Sequence, residues 1–191
     1  SVTSWNHLGD WGTTFGKLLA AWELFKERDD LDSPALEERT DAISDLNSLY
    51  VAFNEATKEN PELEDIARKW FKKLEDGDPQ ARARWERIRN VSLARFNLVY
   101  DRLGVHFDRV IGESHYQQGM VDVVEQLTES GLLELIEGAE IVRLSDDIPP
   151  MLIRKQDGAP LYSTRDLASA IERYHQVAFQ RCLYVVDAGQ G

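Results

Sequence analysis

Leu161-Tyr162-Ser163-Thr164-Arg165-Asp166-Leu167-Ala168, followed near the end of the chain by Leu183-Tyr184-Val185-Val186-Asp187-Ala188, is the pair of segments on which the fold turns. The first reads as a helix start, with Ser163 as a cap and the acidic Asp166 three positions on. That helix should run to about Tyr174 or His175. The second reads as a buried strand, because its run of apolar residues is too short for a helix and too apolar for an exposed edge. A helix followed by a buried strand is half of a βαβ unit, and the parallel sheet that such units build is the core of an α/β fold.

Outward from these segments, toward the start of the chain, the pattern changes twice. Leu132-Leu133-Glu134-Leu135-Ile136, Ala139 to Leu144 and Met151 to Arg154 are short apolar runs separated by Gly138, Asp146-Asp147 and Asp157-Gly158, which predict a small antiparallel β-element. Before them a helical period dominates. Met120, Val121, Val124 and Leu127 predict a helix from Ser114, its cap, to about Ser130, ended by Gly131. Trp85, Ile88, Val91, Ser92, Phe96, Val99, Tyr100 and Leu103 form the stripe of a long helix that Gly104 should stop. Leu63, Ile66, Ala67, Trp70, Phe71 and Leu74 mark another, between Asn60-Pro61 and the turn Asp76-Gly77-Asp78-Pro79. Ser33-Pro34 should open a helix carrying Leu36, Ile43, Leu46, Leu49, Tyr50 and Phe53 to about Thr57. Nearest the start, Trp11, Phe15, Leu18, Leu19, Trp22 and Phe25 predict a helix from Asp10 to about Phe25, followed by the acidic break Glu27, Asp29, Asp30 and Asp32.

Composition narrows the partners. The apolar fraction of 42% and charged fraction of 29% are those of a globular chain, and no apolar run approaches the roughly 20 residues of a membrane span. A formal net charge of -12 argues against this chain alone gripping a phosphate backbone, DNA included, since that affinity rests on Lys and Arg, and any nucleic-acid contact should lie on local basic patches or in further domains. The single cysteine, Cys182, excludes an internal disulfide, fits a reducing cytoplasm and reads as a small buried hydrophobe. The start has no basic stretch leading into an apolar one, so no secretory leader is expected. His7, His106, His115 and His175 lack paired ligand spacing, and no metal site is expected from them.

Asn6-His7-Leu8-Gly9-Asp10-Trp11-Gly12-Thr13-Thr14-Phe15-Gly16 leads into the first helix. Gly9 and Gly12 permit a tight backbone approach, and Asp10 can cap the helix. His7 titrates near neutrality and has the chemistry of an acid or base, but beside glycines it reads better as a hydrogen-bonded turn residue. We read this motif as pocket wall and helix start. Together with Gly112-Glu113-Ser114-His115-Tyr116, which follows Tyr100-Asp101-Arg102-Leu103, and with Tyr162-Ser163-Thr164-Arg165-Asp166, it resembles in wording and order the catalytic domain of arginyl-tRNA synthetases, class I aminoacyl-tRNA ligases. Where that family usually has Gln, this chain has Thr14.

The resemblance implies a Rossmann-like sheet split by a connecting insertion. Residues 1–25 and 161–191 would be two parts of the Rossmann-like catalytic domain, and residues 26–160 a helical and β insertion. It also implies an arginine–tRNA ligase that works in the cytoplasm with L-arginine, tRNA-Arg and ATP, the last as its Mg2+ complex. The family's His-x-Gly-His signature is expected before Ser1 and its Lys-Met-Ser-Lys-Ser-type loop after Gly191. The chain should therefore hold part of the arginine pocket and not activate arginine unaided.

Arginine carries a planar guanidinium with five donors and a permanent charge, which a fixed carboxylate answers best. Asp166 has that chemistry. On the residues alone the helix-dipole role beside Ser163 is the better reading; the resemblance reverses this and favours the ligand role. Tyr162 should share its wall, offering a hydroxyl and a ring face. Gln190 follows the last strand, where open α/β sheets bind ligands, and in the family a glutamine there also faces arginine. Arg165 reads as a structural ion-pairing residue. Glu113, Ser114 and His115 lack the strand-turn-helix setting of a hydrolytic nucleophile, and Ser114 reads as a cap. The alternative function is a non-catalytic helical interaction module that meets its partner through Trp5, Trp22, Trp70 or Trp85.

Overall fold

The computed structural model describes residues 1–25, 31–33, 36–39, 41–156, 158 and 161–187. The chain forms two compact units, Ser1–Gly112 and Glu113–Gly191. Among the described residues no helix is long and apolar enough to cross a membrane.

The first unit runs β1 (Trp5–Leu8), α1 (Thr13–Phe25), a 3-10 turn (Leu36–Glu38), α2 (Ala42–Glu59), α3 (Glu62–Glu75), α4 (Pro79–Leu103) and β2 (Arg109–Gly112). Local chemistry sets the helix ends. Glu62, Glu64 and Asp65 in the first turn of α3 and Lys72 and Lys73 in its last complement the helix dipole. The Asp78 carboxylate caps α4 by accepting from the N–H groups of Gln80 and Ala81 at 3.0 and 2.9 Å, with Pro79 at the first helical position. Gly104 ends α4 at φ 65°, a left-handed conformation that glycine adopts without strain. Leu19, Trp22, Leu46, Leu49, Phe53, Trp70, Leu74, Ile88 and Val91 meet in one core. Trp22 and Trp70, anchors of the interaction-module reading, are buried there.

Helices α1 and α3 approach closely at Gly16. A Cβ at this position would lie 2.5 Å from the Ala67 carbonyl oxygen and 2.8 Å from the Phe71 Cβ. Alanine is the better helix former by about 1 kcal/mol, yet Gly16→Ala is expected to destabilise the unit by about 1–3 kcal/mol through overpacking. Urea denaturation measures this, and a stabilised variant would show that the two helices separate freely.

Three expectations for this unit need correction. The first helix begins at Thr13 and not at Asp10, which lies ahead of the cap position with its carboxylate on Arg89. The second helix begins at Ala42, not at Ser33-Pro34; Pro34 lies outside the described residues, and Leu36 reaches the core from its own 3-10 turn. Apolar spacing reports that a residue faces the core and not whether one helix or two bring it there. Of the stripe on α4 only Ile88 and Val91 are buried, joined by Ala81 and Arg84 from the helix's first turns, while Phe96, Val99 and Leu103 are exposed.

The second unit runs through a 3-10 turn (Glu113–Tyr116), α5 (Gln117–Glu129), β3 (Leu133–Ile136), β4 (Ala139–Val142), β5 (Met151–Arg154) and α6 (Tyr162–Val177). The predicted antiparallel element is the sheet β3-β4-β5. Ile136 pairs with Ala139, and Glu137 and Gly138 between them take φ 51° and 82°. Two left-handed residues make the tight hairpin turn whose twist matches that of the strands. Val124, Val142 and Ile153 form a small core with Leu127, Leu133, Met151 and Leu167. Gly119 lets α5 approach α6, since a Cβ there would lie 3.3 Å from that of Ala168.

Here four expectations give way. Ser114 lies in the 3-10 turn, and α5 starts at Gln117. Ser163 lies inside α6, which has Leu161 at its cap position; its hydroxyl donates instead to the Leu152 carbonyl of β5. Cys182 is exposed, not buried. Leu183 to Val186 belongs to no strand, with Leu183 78% and Val185 96% exposed. A strand exists only through its neighbour's N–H and C=O groups, and no described residue pairs with this segment.

Candidate functional site

In the first unit the Asn6 to Gly12 motif forms the end of β1 and the turn into α1. β1 and β2 pair in parallel, Trp5 to Arg109 through Leu8 to Gly112. The Asn6 amide donates to the Tyr100 hydroxyl of α4 at 3.0 Å. His7 is exposed on β1 and Leu8 is buried. After Leu8 the chain turns sharply, the Asp10 N–H donating to the Leu8 carbonyl. Asp10 is 4% exposed. Its carboxylate accepts from the Arg89 Nε at 3.1 Å, and its carbonyl accepts from the Trp85 indole N–H at 2.7 Å. Trp11 meets Phe71 and Trp85 edge-on at 5.7 and 5.8 Å, an arrangement favoured by the ring quadrupoles. Gly12 has φ 119°, which lets the turn enter α1.

Gly112, at the end of β2, lies beneath the Asp10 side chain: a Cβ there would be 1.9 Å from Oδ2. At the other end of the strand pair, the Ser4 N–H and hydroxyl donate to the Asp108 carboxylate at 2.7 and 2.9 Å. These donors hold that carboxyl below its ordinary range. The motif thus anchors β1 to α4 and β2.

In the second unit, Tyr162 and Asp166 stand one turn apart on α6 and are both exposed. Residues at this spacing share a helix face. Three residues between them fix the turn. Ser163 and the buried Thr164 donate to consecutive carbonyls of β5, Leu152 and Ile153, the second at 2.7 Å. Arg165 Nη1 pairs with Glu113 Oε2 at 2.7 Å, with side chains only 15% and 27% exposed. Further along α6, Glu172 accepts or shares a proton with His115 Nε2 at 2.8 Å. The Arg173 guanidinium lies over the Tyr184 ring at 5.8 Å. Burial pushes the Tyr184 hydroxyl up, and the nearby Cys182 and Asp166 act in the same direction. The arrangement presents a carboxylate and a phenol on one face of a helical turn whose intervening residues are tied to β5 and Glu113. Gln190, the third expected arginine-facing residue, lies outside the described residues.

The family model described as "tRNA synthetases class I (R), catalytic domain" matches residues 1–191. The chain belongs to this family. It is 47% identical over 190 residues to an arginine–tRNA ligase of Exiguobacterium sibiricum, covering 99% of the chain and 33% of that protein. To one of Clostridium botulinum strain Loch Maree it is 47% identical over 186 residues, 97% of the chain and 32% of that protein. The crystal structure of arginyl-tRNA synthetase from Plasmodium falciparum superposes with a TM-score of 0.79 at 27% identity, over 98% of the chain and 30% of that structure. The chain spans about a third of the length of the curated relatives it matches. The α/β fold, with its helical part and small antiparallel element, is that of the family's catalytic domain.

Sequence reasoning saw Arg165 as an ion-pairing residue without its partner, and it missed Arg89 as the partner of Asp10. Glu113 was within reach, because the Gly112-Glu113-Ser114 string had been singled out, but no local spacing connects it to a helix that starts at Tyr162.

Proposed function

We propose that the polypeptide to which this chain belongs is an arginine–tRNA ligase. It would join L-arginine to ATP as arginyl-adenylate with release of pyrophosphate, then pass the arginyl group to the terminal ribose of tRNA-Arg. The observation that carries the reading for this chain is the Tyr162–Asp166 pair, exposed on one turn of α6 and braced from beneath by Thr164 and Arg165. Asp166 supplies the charge and acceptor geometry for a guanidinium, and Tyr162 a ring face and hydroxyl. Gln190 is the third member of the proposed pocket. Asn6, His7, Gly9, Asp10, Trp11 and Gly12, which the sequence reads as pocket wall, are taken as scaffold with no bond-making role.

ATP enters as its Mg2+ complex, a substrate; it supplies the phosphorus centre at which the arginine carboxylate reacts. The residues of this chain would contribute binding and orientation of the amino acid, the part of catalysis that comes from placing reactants. In the whole enzyme, residues 1–25 and 161–191 are read as parts of the Rossmann-like domain and residues 26–160 as its connecting insertion. The enzyme would act in the cytoplasm.

Calorimetric titration of the chain with L-arginine, against citrulline as its uncharged isostere, tests the pocket. Arginine-selective heat is the expected result, and equal or absent heats for both ligands would remove Asp166 from its role. Neither a His-x-Gly-His nor a Lys-Met-Ser-Lys-Ser string occurs in the sequence. Accordingly the chain by itself is expected to give no arginine-dependent exchange of pyrophosphate into ATP, and measurable exchange would overturn that expectation.

A further inference from the structure

We propose that the outer edge of β3 (Leu133–Ile136) is a docking site for an extended segment of a partner protein, one that alternates basic and apolar side chains and adds to the sheet as a fourth strand. β3 lies at one edge of the sheet β3-β4-β5. The residues that flank a two-residue hairpin turn exchange hydrogen bonds, and bonded and non-bonded pairs then alternate along the ladder. Ile136, opposite Ala139, and Glu134, opposite Ile141, therefore direct their backbone groups to β4, whereas the N–H and C=O of Leu133 and Leu135 point outward. Among the described residues no partner meets those outward groups. The opposite edge is closed, because the Leu152 and Ile153 carbonyls of β5 accept from the hydroxyls of Ser163 and Thr164 on α6.

Side chains and charge define what fits. Leu135 is 73% and Ile136 41% exposed, and successive strand residues point to opposite faces, so β3 shows water an apolar residue on each side. An edge left to solvent is guarded by charges, Lys above all; an added strand would instead cover both residues with its own side chains. From Val121 to Glu140 the chain holds six acidic residues and no Lys, Arg or His. Glu134 and Glu140 pair with Arg143 and Arg154, while Glu129 and Glu137, before and after β3, are exposed. Such a surface repels a phosphate backbone, and a second copy would bring its own carboxylates against these, an unfavourable match across a strand pair. A strand bearing Lys or Arg meets them with opposite charge.

The probe is the acetylated and amidated hexapeptide Lys-Val-Lys-Ile-Lys-Val, added to the whole chain. At about ten times its Kd, amide hydrogen exchange at Leu133 and Leu135, followed by NMR, is expected to slow about tenfold. The same peptide N-methylated at every peptide nitrogen keeps its charges but cannot donate to the edge, and should bind at least about tenfold more weakly. The analogue Glu-Val-Glu-Ile-Glu-Val should be weakened as much. Leu135→Pro removes one outward N–H without taking a bond from the β3–β4 ladder, and Leu135→Lys keeps that N–H but sets a like charge against the peptide, so the second variant decides where the first fails to fold. Each should weaken binding of the lysine peptide about tenfold. Protection that bypasses Leu133 and Leu135, or an N-methylated or glutamate peptide that binds as tightly as the lysine peptide, overturns the proposal. A dimer of the parent chain that Leu135→Lys dissolves in analytical ultracentrifugation would assign the edge to a second copy and overturn it too.

Discussion

Alanine at Gly112 is expected to lower the unfolding free energy of the first unit by about 3 kcal/mol. The added Cβ would lie 1.9, 2.2 and 2.4 Å from Oδ2, Cγ and Oδ1 of Asp10, distances no relaxation of the methyl itself can accommodate. Either the carboxylate leaves its buried position or β2 moves away from β1. The first outcome separates Asp10 from the Arg89 Nε, 3.1 Å away; the second breaks the register of Leu8 with Gly112. The Arg89 side chain is 32% exposed, so solvent screens part of the pair, and the loss falls at the low end of what breaking a buried ion pair costs. Urea denaturation followed by tryptophan fluorescence reads the change. Asp10→Ala in the same chain removes the obstacle, so the double variant should be markedly less destabilised than the sum of the single ones. Strict additivity, or a Gly112→Ala variant as stable as the parent, would show that the contact does not hold this corner together.

The extent to which this fold was legible follows the range of the forces involved. α3 and α4 were readable because their caps and stops lie within a few residues of the helix they serve: Asn60-Pro61 and Asp78-Pro79 before them, Gly104 after α4. The hairpin from β3 to β4 was readable for the same reason, its turn being local at Glu137-Gly138. β1 and β2 were not. Each has only a few residues, and they pair in parallel from opposite ends of the first unit, so neither carries a period that marks it as a strand. The converse error at Leu183 to Val186 has the same origin, since apolar residues state a preference for burial and a ladder needs a second strand.

The candidate site divides along the same line. Tyr162 and Asp166 were visible as a helical pair because i and i+4 share a face in any helix. Ser163 was misread as a cap because its hydroxyl had a competing acceptor, the Leu152 carbonyl, that lies in another element. The string Gly112-Glu113 also has two employments that no sequence window displays. Its glycine makes room for Asp10 within the first unit, and its glutamate neutralises Arg165 within the second. The segments on which the resemblance was read are therefore tied together in pairs by packing and charge.

Asp166→Asn is expected to weaken L-arginine binding by about tenfold to a hundredfold, the equivalent of roughly 1.5–3 kcal/mol for a hydrogen bond to a charged group. Asparagine preserves shape and one acceptor oxygen, but its NH2 group presents donors to a guanidinium that has only donors of its own. The loss should therefore fall on arginine and spare citrulline, whose ureido oxygen accepts a hydrogen bond, so that the ratio of the two affinities drops toward one. Tyr162→Phe removes a hydroxyl and keeps the ring, and should cost less than Asp166→Asn while leaving selectivity for the charged ligand in place. With a net charge of -12, general attraction of a cation to the chain has to be separated from recognition at α6. Asp122→Asn, at an exposed position of α5, removes the same charge without a place in the proposed pocket and should leave binding within about twofold, because salt screens exposed charges that make no direct contact with the ligand. Titrations of the variants with both ligands decide the matter. An Asp166→Asn chain that still prefers arginine to citrulline by the parental ratio would place recognition of the guanidinium on other residues, whereas equal losses in Asp166→Asn and Asp122→Asn would reduce the effect to bulk electrostatics.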